Sequence, residues 1–103
     1  METGYKVKVA ERDLVSLISD NMIVTTIGVR KYFTDEDIQR TLERFINLDF
    51  GKTCKEDVET NLNCIRYNSG MVMGSYTVRG VDMWIISHLG YGGYTTVLLP
   101  EEY

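Results

Sequence analysis

The sequence predicts an α+β fold in which two or three helices pack on one face of an antiparallel sheet with a C-terminal three-stranded meander. Three observations predict it. Thr34 and the three acids that follow it are typical of a helix start, and an apolar stripe with helical spacing comes next. A second amphipathic stretch extends from about Cys54 to Ile65. Residues 71–103 contain three short apolar and polar alternating runs separated by turn residues, which is typical of consecutive antiparallel strands.

The elements near the N-terminus are predicted from shorter patterns. The segment Tyr5–Val9 alternates between apolar residues and lysines, which indicates a short half-buried strand. The apolar residues of Leu14–Ile18 fit one face of a helix better than a strand. The β-branched run Asn21–Thr26 is followed by Gly28, so it is either a second strand or an extended connector.

The first strongly predicted helix begins after Thr34. The threonine hydroxyl is a good N-cap, and Asp35, Glu36 and Asp37 face the positive end of the helix dipole. The helix should end near Asn47. Its apolar stripe comprises Ile38, Leu42, Phe45 and Ile46.

The second helix, from Cys54 to about Ile65, should end at the Asn68–Gly70 turn. Its two cysteines are ten residues apart, which on a helix separates their backbones by about 15 Å. A disulfide cannot span that distance, so Cys54 and Cys64 are expected to be reduced thiols. The predicted core comprises Ile38, Leu42, Phe45, Val58, Leu62, Trp84 and either Ile85 or Ile86.

The meander is predicted from β-branched and aromatic runs. Arg79-Gly80 suits a tight hairpin between the first two runs, and Leu89–Gly93 is a longer, glycine-rich connection. Pro100 should end the last strand because it cannot donate to a ladder. The runs are Met71–Val78, Val81–Ser87 and Tyr94–Leu99.

Length and charge restrict the classes of function. A chain of 103 residues allows one domain, residues 1–103. Fifteen acidic and eleven basic side chains give a net charge of −4, so nucleic acid is not expected as a direct partner. The chain shows neither a long apolar run nor a basic start followed by an apolar core, so we expect no membrane partner, no signal peptide and a cytosolic protein.

Candidate catalytic or metal-binding residues are few. A zinc site would have to use Cys54, Asp57, Cys64 and His88, but no C-x-x-C pair or closely spaced histidines bring such ligands together. Buried thiols and a loop histidine are the favoured interpretation, and neither cysteine is marked as an activated nucleophile. Gly90–Gly93 resembles a phosphate-binding loop in composition only, because a strand and not a helix follows it. No catalytic residue, metal or cofactor is therefore predicted.

Two groups of residues are candidates for binding a partner protein. The acids near the two helix starts could form a face that mimics nucleic acid, although such clusters also stabilise helix dipoles or are simply solvated. The tyrosines of the glycine-rich loop could anchor an interface, or one of them could pack in the core. The candidates are Asp35, Glu36, Asp37, Glu56, Glu59, Tyr91 and Tyr94.

Two motifs stand out, Asp49-Phe50-Gly51 before the second helix and the strand Trp84–Ser87. They resemble the Asp-Trp-Gly and Trp-Ile-Ile-Thr motifs that are usual at these places in a family of small proteins, without an assigned function, that bacterial plasmids, conjugative elements and phages encode. The similarity extends over roughly residues 23–103. It also includes Glu56-Asp57, Asn61, Gly70, Ser75-Tyr76 and the ending Thr95–Tyr103.

The resemblance implies an accessory protein of a mobile element. Such proteins are sometimes labelled restriction-modification subunits, but a methyltransferase needs a doubly wound cofactor domain that 103 residues with this strand pattern do not supply. The loop His88–Tyr94 departs from the family, which tends to carry Glu, Asp and Arg there. We expect an inhibitor of the anti-CRISPR or anti-restriction kind, which binds a host defence protein that handles nucleic acid. A metal- or thiol-dependent enzyme, a plasmid-maintenance module and a homodimer stay open.

Overall fold

The computed structural model describes Leu14 and residues 22–103. The predicted strand Tyr5–Val9 and the predicted helix Leu14–Ile18 lie outside the described residues, apart from Leu14. No helix in the described ranges is long and apolar enough to cross a membrane. The elements are β1 (Met22–Thr25), α1 (Ile27–Tyr32), α2 (Asp35–Ile46), α3 (Lys55–Tyr67), β2 (Met71–Val78), β3 (Val81–His88), β4 (Tyr94–Leu98) and a closing 3-10 helix (Pro100–Glu102).

The α+β class is confirmed, but the sheet is mixed. Its described strands lie in the order β1-β4-β3-β2, and β2, β3 and β4 are consecutive antiparallel neighbours. β1 pairs with β4 in parallel, so the prediction of an antiparallel sheet is wrong at this edge. Three helices and two strands separate β1 from β4 along the chain. Local sequence patterns carry no signal for such a distant pairing.

Helix α1 is absent from the sequence prediction because Gly28 was interpreted as the end of a strand. Thr26 caps the helix by accepting a hydrogen bond from the Val29 amide at 3.1 Å. A Cβ at Gly28 would lie 2.4 Å from a carboxylate oxygen of Glu102. That carboxylate accepts hydrogen bonds from the Leu99 amide and the Thr26 hydroxyl, which lower its pKa. The glycine therefore allows the C-terminal turn to dock on α1.

Helices α2 and α3 form as predicted. Thr34 and Asp37 make a reciprocal capping box, with amide to side-chain distances of 3.1 and 2.9 Å, and α2 ends one residue before Asn47. Helix α3 continues to Tyr67 and ends at Asn68, whose φ of 49° is left-handed. Both cysteines are free thiols, Cys54 at the N-cap of α3 and Cys64 inside it.

The core lies between the helices and one face of the sheet. Of the predicted core residues, Ile38, Phe45, Ile85 and Ile86 are buried, while Leu42, Val58 and Leu62 are partly buried against the core. The prediction that Trp84 belongs to this core is wrong. Trp84 is only half-buried and lies on the opposite face from Ile85, where its ring meets Tyr103 edge to face with centroids 5.7 Å apart. The central cluster comprises Leu14, Val29, Phe33, Ile38, Phe45, Phe50, Ile65, Val72, Tyr76, Met83, Ile85, Val97 and Leu99.

The outer edge of β2 is closed by side-chain and loop contacts. Asn61 of α3 accepts a hydrogen bond from the Met73 amide at 3.0 Å and donates one to the Met73 carbonyl at 2.8 Å. Further along, the Ser75 amide donates to the Phe50 carbonyl and the Ser75 carbonyl accepts from the Lys52 amide. Unpaired strand edges invite association with other chains, so these contacts protect the edge of the sheet.

We expect Asn61→Ala to lower the free energy of unfolding by about 1 to 3 kcal/mol, because it leaves two backbone groups of a partly buried strand edge without partners. Equilibrium denaturation in urea measures the loss. Asn63→Ala, an exposed asparagine on the same helix, is the matched control and should change stability by less than about 0.5 kcal/mol. Equal losses in the two variants would mean that the two hydrogen bonds from Asn61 to the Met73 backbone do not stabilise the edge of β2.

Candidate partner-binding surfaces

One end of the sheet carries an uncharged, tyrosine-rich surface. It consists of two segments that we call the tyrosine end. One is residues 67–70, which are the last residue of α3 and the turn after it, and the other is residues 88–94, from the last residue of β3 to the first residue of β4. The segments are tied together, since the Leu89 amide donates to the Gly70 carbonyl at 2.9 Å and the Gly90 amide donates to the Asn68 side chain at 3.1 Å. Neither segment contains Asp, Glu, Lys or Arg.

The tyrosines of this end point into solvent. Tyr91 is fully exposed, Tyr67 is 72% exposed and Tyr94 is 45% exposed. The Tyr94 ring stacks on the His88 ring with centroids 4.7 Å apart. Met22 of β1, which is the register partner of Tyr94 of β4, is also exposed. The alternative that Tyr91 or Tyr94 packs in the core is therefore wrong. The end presents several aromatic rings at once, which is typical of surfaces that bind proteins.

Charged side chains gather at the opposite end of the sheet, around the Arg79-Gly80 turn. The β2–β3 ladder begins at the pair Met71 and His88 and ends at the pair Val78 and Val81. Seven residue steps of about 3.3 Å place the two ends about 23 Å apart. The predicted acidic residues of α2 and the predicted tyrosines therefore occupy separate surfaces.

The acidic start of α2 is already neutralised within the protein. Arg79 donates to both carboxylate oxygens of Asp37, at 3.0 and 2.5 Å. The hydrogen bonds from Arg79 and from the Thr34 backbone hold the pKa of Asp37 well below its ordinary value of 3.8. This group is thus less available to a basic partner than its sequence indicates. The three ion pairs are Asp35 with Arg30, Glu36 with Arg40 and Asp37 with Arg79.

The acids of α3 are placed differently. Glu56, Asp57 and Glu59 are exposed on the first turns of the helix. None of the ion pairs formed among residues 22–103 involves them. Within the part of the chain that the structure describes, these acids therefore have no ion-pair partner, in contrast to the predicted acids of α2.

The weak metal candidates are spread along α3 and β3. Cys54 is exposed at the N-cap, Asp57 is in the first turn, and Cys64 packs near Gly70 at the other end of the helix. His88 ends β3 and stacks on Tyr94. In the described ranges no group of three or more His, Cys, Asp or Glu side chains could hold a metal ion.

The motif Asp49-Phe50-Gly51 performs a structural role. The Asp49 carboxylate accepts hydrogen bonds from the Gly51 amide at 3.0 Å and from Arg44 at 2.7 Å, and these hydrogen bonds, the one from Arg44 first, lower its pKa. The Asp49 carbonyl accepts a bond from the Tyr76 hydroxyl at 2.8 Å, while burial raises the pKa of Tyr76 above its ordinary value. Phe50 is buried against Phe45. These contacts join the loop after α2 to β2.

Tyr67 is a surface residue that the sequence analysis did not select. The predicted helix ends at about Ile65, so Tyr67 lies beyond it, whereas in the structure Tyr67 is the last residue of α3. The signal that could have found it is the sequence Tyr67-Asn68-Ser69-Gly70, an aromatic residue followed by three turn residues.

The comparisons with known proteins add no relative to this description. Neither protein-family models, curated proteins nor solved structures match the chain.

Proposed function

We propose that this protein is a small inhibitor that binds a host nucleic-acid-handling defence protein, such as a CRISPR effector or a restriction enzyme, and that the tyrosine end is its main contact. The exposure of Tyr67, Tyr91 and Tyr94 on two tied, uncharged turns is the observation that carries the binding function. The class of target is supported by the resemblance to mobile-element proteins and by the net charge of −4.

The tyrosine end combines rigid rings with an adaptable backbone. Tyr67 is the last residue of a helix of thirteen residues and Tyr94 is the first residue of a paired strand, so both rings stand on ordered elements. Tyrosine has two side-chain torsions and loses little entropy when it is immobilised, whereas glycine and asparagine adjust the local backbone. The same combination characterises antibody binding loops. It suits a partner surface with apolar or aromatic pockets.

The acids of α3 would speed the association of the protein with its partner. Nucleic-acid-handling effectors carry basic channels, and exposed Glu56, Asp57 and Glu59 would attract such a channel over a range of about 8 to 10 Å at physiological salt. Charge of this kind mainly raises association rates. The contacts that determine dissociation are the aromatic ones.

We expect Tyr67→Ala, Tyr91→Ala and Tyr94→Ala, combined in one variant, to abolish inhibition in a cell-based interference assay while the protein stays folded. Loss of an aromatic anchor typically costs about 2 kcal/mol or more of binding free energy, about a thirtyfold faster dissociation, with little dependence on salt. Tyr32→Ala is the matched control, because Tyr32 is 55% exposed on α1 and that helix starts at the other end of β1. A triple variant that folds and inhibits like the parent would rule out this surface.

The acids are tested by charge reversal. Glu56→Lys with Glu59→Lys should slow association, most strongly at low salt, and leave dissociation nearly unchanged. The comparison variant is Glu43→Lys, which reverses an exposed acid on α2. Unchanged association in the double variant would remove the acids of α3 from the proposal. Failure of the parent protein to inhibit any defence system would contradict the proposed function itself.

A further inference from the structure

A shallow concavity lies between α2 and the β2–β3 hairpin, at the end of the sheet opposite the tyrosine end. Its volume is about 310 Å³, and half of its lining residues are arginines. This is unexpected in a chain with a net charge of −4. We call it the arginine concavity, and it is lined by Asp37, Arg40, Thr41, Arg44, Val78 and Arg79.

The fold brings the three guanidinium groups to one place. Arg40 and Arg44 are four residues apart on α2 and therefore share a face of the helix. Arg79 occupies the hairpin turn in a left-handed conformation, with a φ of 50°, and reaches across to Asp37. The Arg44 guanidinium lies 5.0 Å from the centre of the Tyr76 ring. Two of the three arginines are thus held in position before any ligand arrives.

Each guanidinium retains hydrogen-bond donors after its internal contacts are made. An arginine has five N–H bonds and keeps its proton at any ordinary pH. Arg79 uses two nitrogens on Asp37, Arg44 uses two on Asp49, and Arg40 uses one on Glu36. At least three N–H bonds of each arginine therefore have no acceptor among these contacts.

We propose that the arginine concavity binds a phosphate group, either as inorganic phosphate or as a phosphomonoester. Each of the three lining arginines already pairs with one carboxylate, Arg40 with Glu36, Arg44 with Asp49 and Arg79 with Asp37, so a ligand binds through the remaining guanidinium N–H donors and not through a surplus of positive charge. A phosphate group presents three strong acceptor oxygens, which match three guanidinium groups better than the two oxygens of a carboxylate do. Planar guanidinium groups also fit phosphate oxygens in pairs. This site lies outside the tyrosine end and does not rest on the proposed inhibitor function.

The test is a titration followed by NMR of the arginine Nε–H signals at constant ionic strength, with inorganic phosphate, O-phosphoserine and acetate added in separate experiments. We expect saturable shifts of the signals of Arg40, Arg44 and Arg79 with the two phosphate ligands and weaker effects with acetate. Stronger shifts with phosphoserine than with inorganic phosphate would identify a phosphomonoester as the ligand, and the reverse would identify the free ion. Shifts that rise linearly without saturation would overturn the proposal.

Arg40→Gln removes one ligand group with little risk to the fold, because among residues 22–103 Arg40 pairs with Glu36 alone and both side chains are more than two-thirds exposed. We expect phosphate affinity to fall about tenfold, as for the loss of one charge-assisted hydrogen bond. Arg66→Gln, which removes an exposed arginine of α3, is the charge-matched control and should bind like the parent. Equal weakening in the two variants would mean that only net charge matters and would overturn the site. Unchanged melting temperatures show that both variants are folded.

Discussion

Phe45→Ala should lower the free energy of unfolding by about 3 to 5 kcal/mol, a large part of the 5 to 15 kcal/mol typical of a domain. The side chain is fully buried on α2, and its ring meets Phe50 edge to face with centroids 5.8 Å apart. Truncation to alanine removes the apolar contacts of the Phe45 ring and its edge-to-face contact with the Phe50 ring. Equilibrium denaturation in guanidinium, fitted for both midpoint and slope, measures the loss.

Two further variants separate a core effect from a general aromatic effect. Phe45→Leu keeps most of the buried volume and should lose less stability than Phe45→Ala. Tyr32→Ala removes an exposed ring from α1 and should change stability by no more than about 0.5 kcal/mol. If Phe45→Ala unfolded like the parent, the buried face of α2 would be assigned wrongly.

The parts of the fold that could be predicted from the sequence are those with local causes. The N-cap at Thr34 and the stripe through Phe45 both lie within one helix, so a short window contains the whole signal. The same holds for the β2–β3 hairpin, whose turn is the pair Arg79-Gly80. The sequence accordingly predicts Phe45 in the core, and its side chain is buried there.

The parts that could not be predicted depend on residues far apart in the chain. β1 pairs with β4, more than 70 residues later, and α1 tolerates Gly28 because Glu102 docks on it. The clamp of Asn61 on Met73 joins a helix to a strand edge. Trp84 is predicted in the core as a central-strand residue, and alternation places it opposite Ile85; the alternation alone does not indicate which face of the sheet the helices cover, and they cover the face of Ile85.

The candidate surfaces also combine features that a local sequence predicts with features that depend on residues far apart in the chain. A sequence indicates which residues are acidic, but ion pairing decides how much of that charge a partner meets, and Asp37 is held by the distant Arg79. The place of Tyr91 between glycines leaves exposure and core packing both open, and the structure shows that Tyr91 is exposed. The arginine concavity needed the fold, because Arg40 and Arg79 lie on different elements.

The largest effect of a single added methyl group should occur at Gly51. Its φ is +66°, and a Cβ there would lie 2.1 Å from the Ser75 carbonyl oxygen and 2.8 Å from the Tyr76 ring. The carbonyl cannot simply move away, because it accepts a hydrogen bond from the Lys52 amide at 2.7 Å. We therefore expect Gly51→Ala to detach the loop from β2 and to expose the edge of the strand.

Gly80→Ala is the matched control for Gly51→Ala. Its φ is +80°, and a Cβ at that position would have nothing within 4 Å, so it meets only the cost of a left-handed alanine, about 1 to 2 kcal/mol. Gly51→Ala should meet that cost and lose a further 1 to 3 kcal/mol, since two bonds between the loop and Ser75 are broken. Amide hydrogen exchange should accelerate at Lys52 and Ser75 in Gly51→Ala alone. Similar losses of stability in both variants, with Ser75 still protected, would mean that the loop stays on β2 without the close approach at Gly51, and the prediction would be wrong.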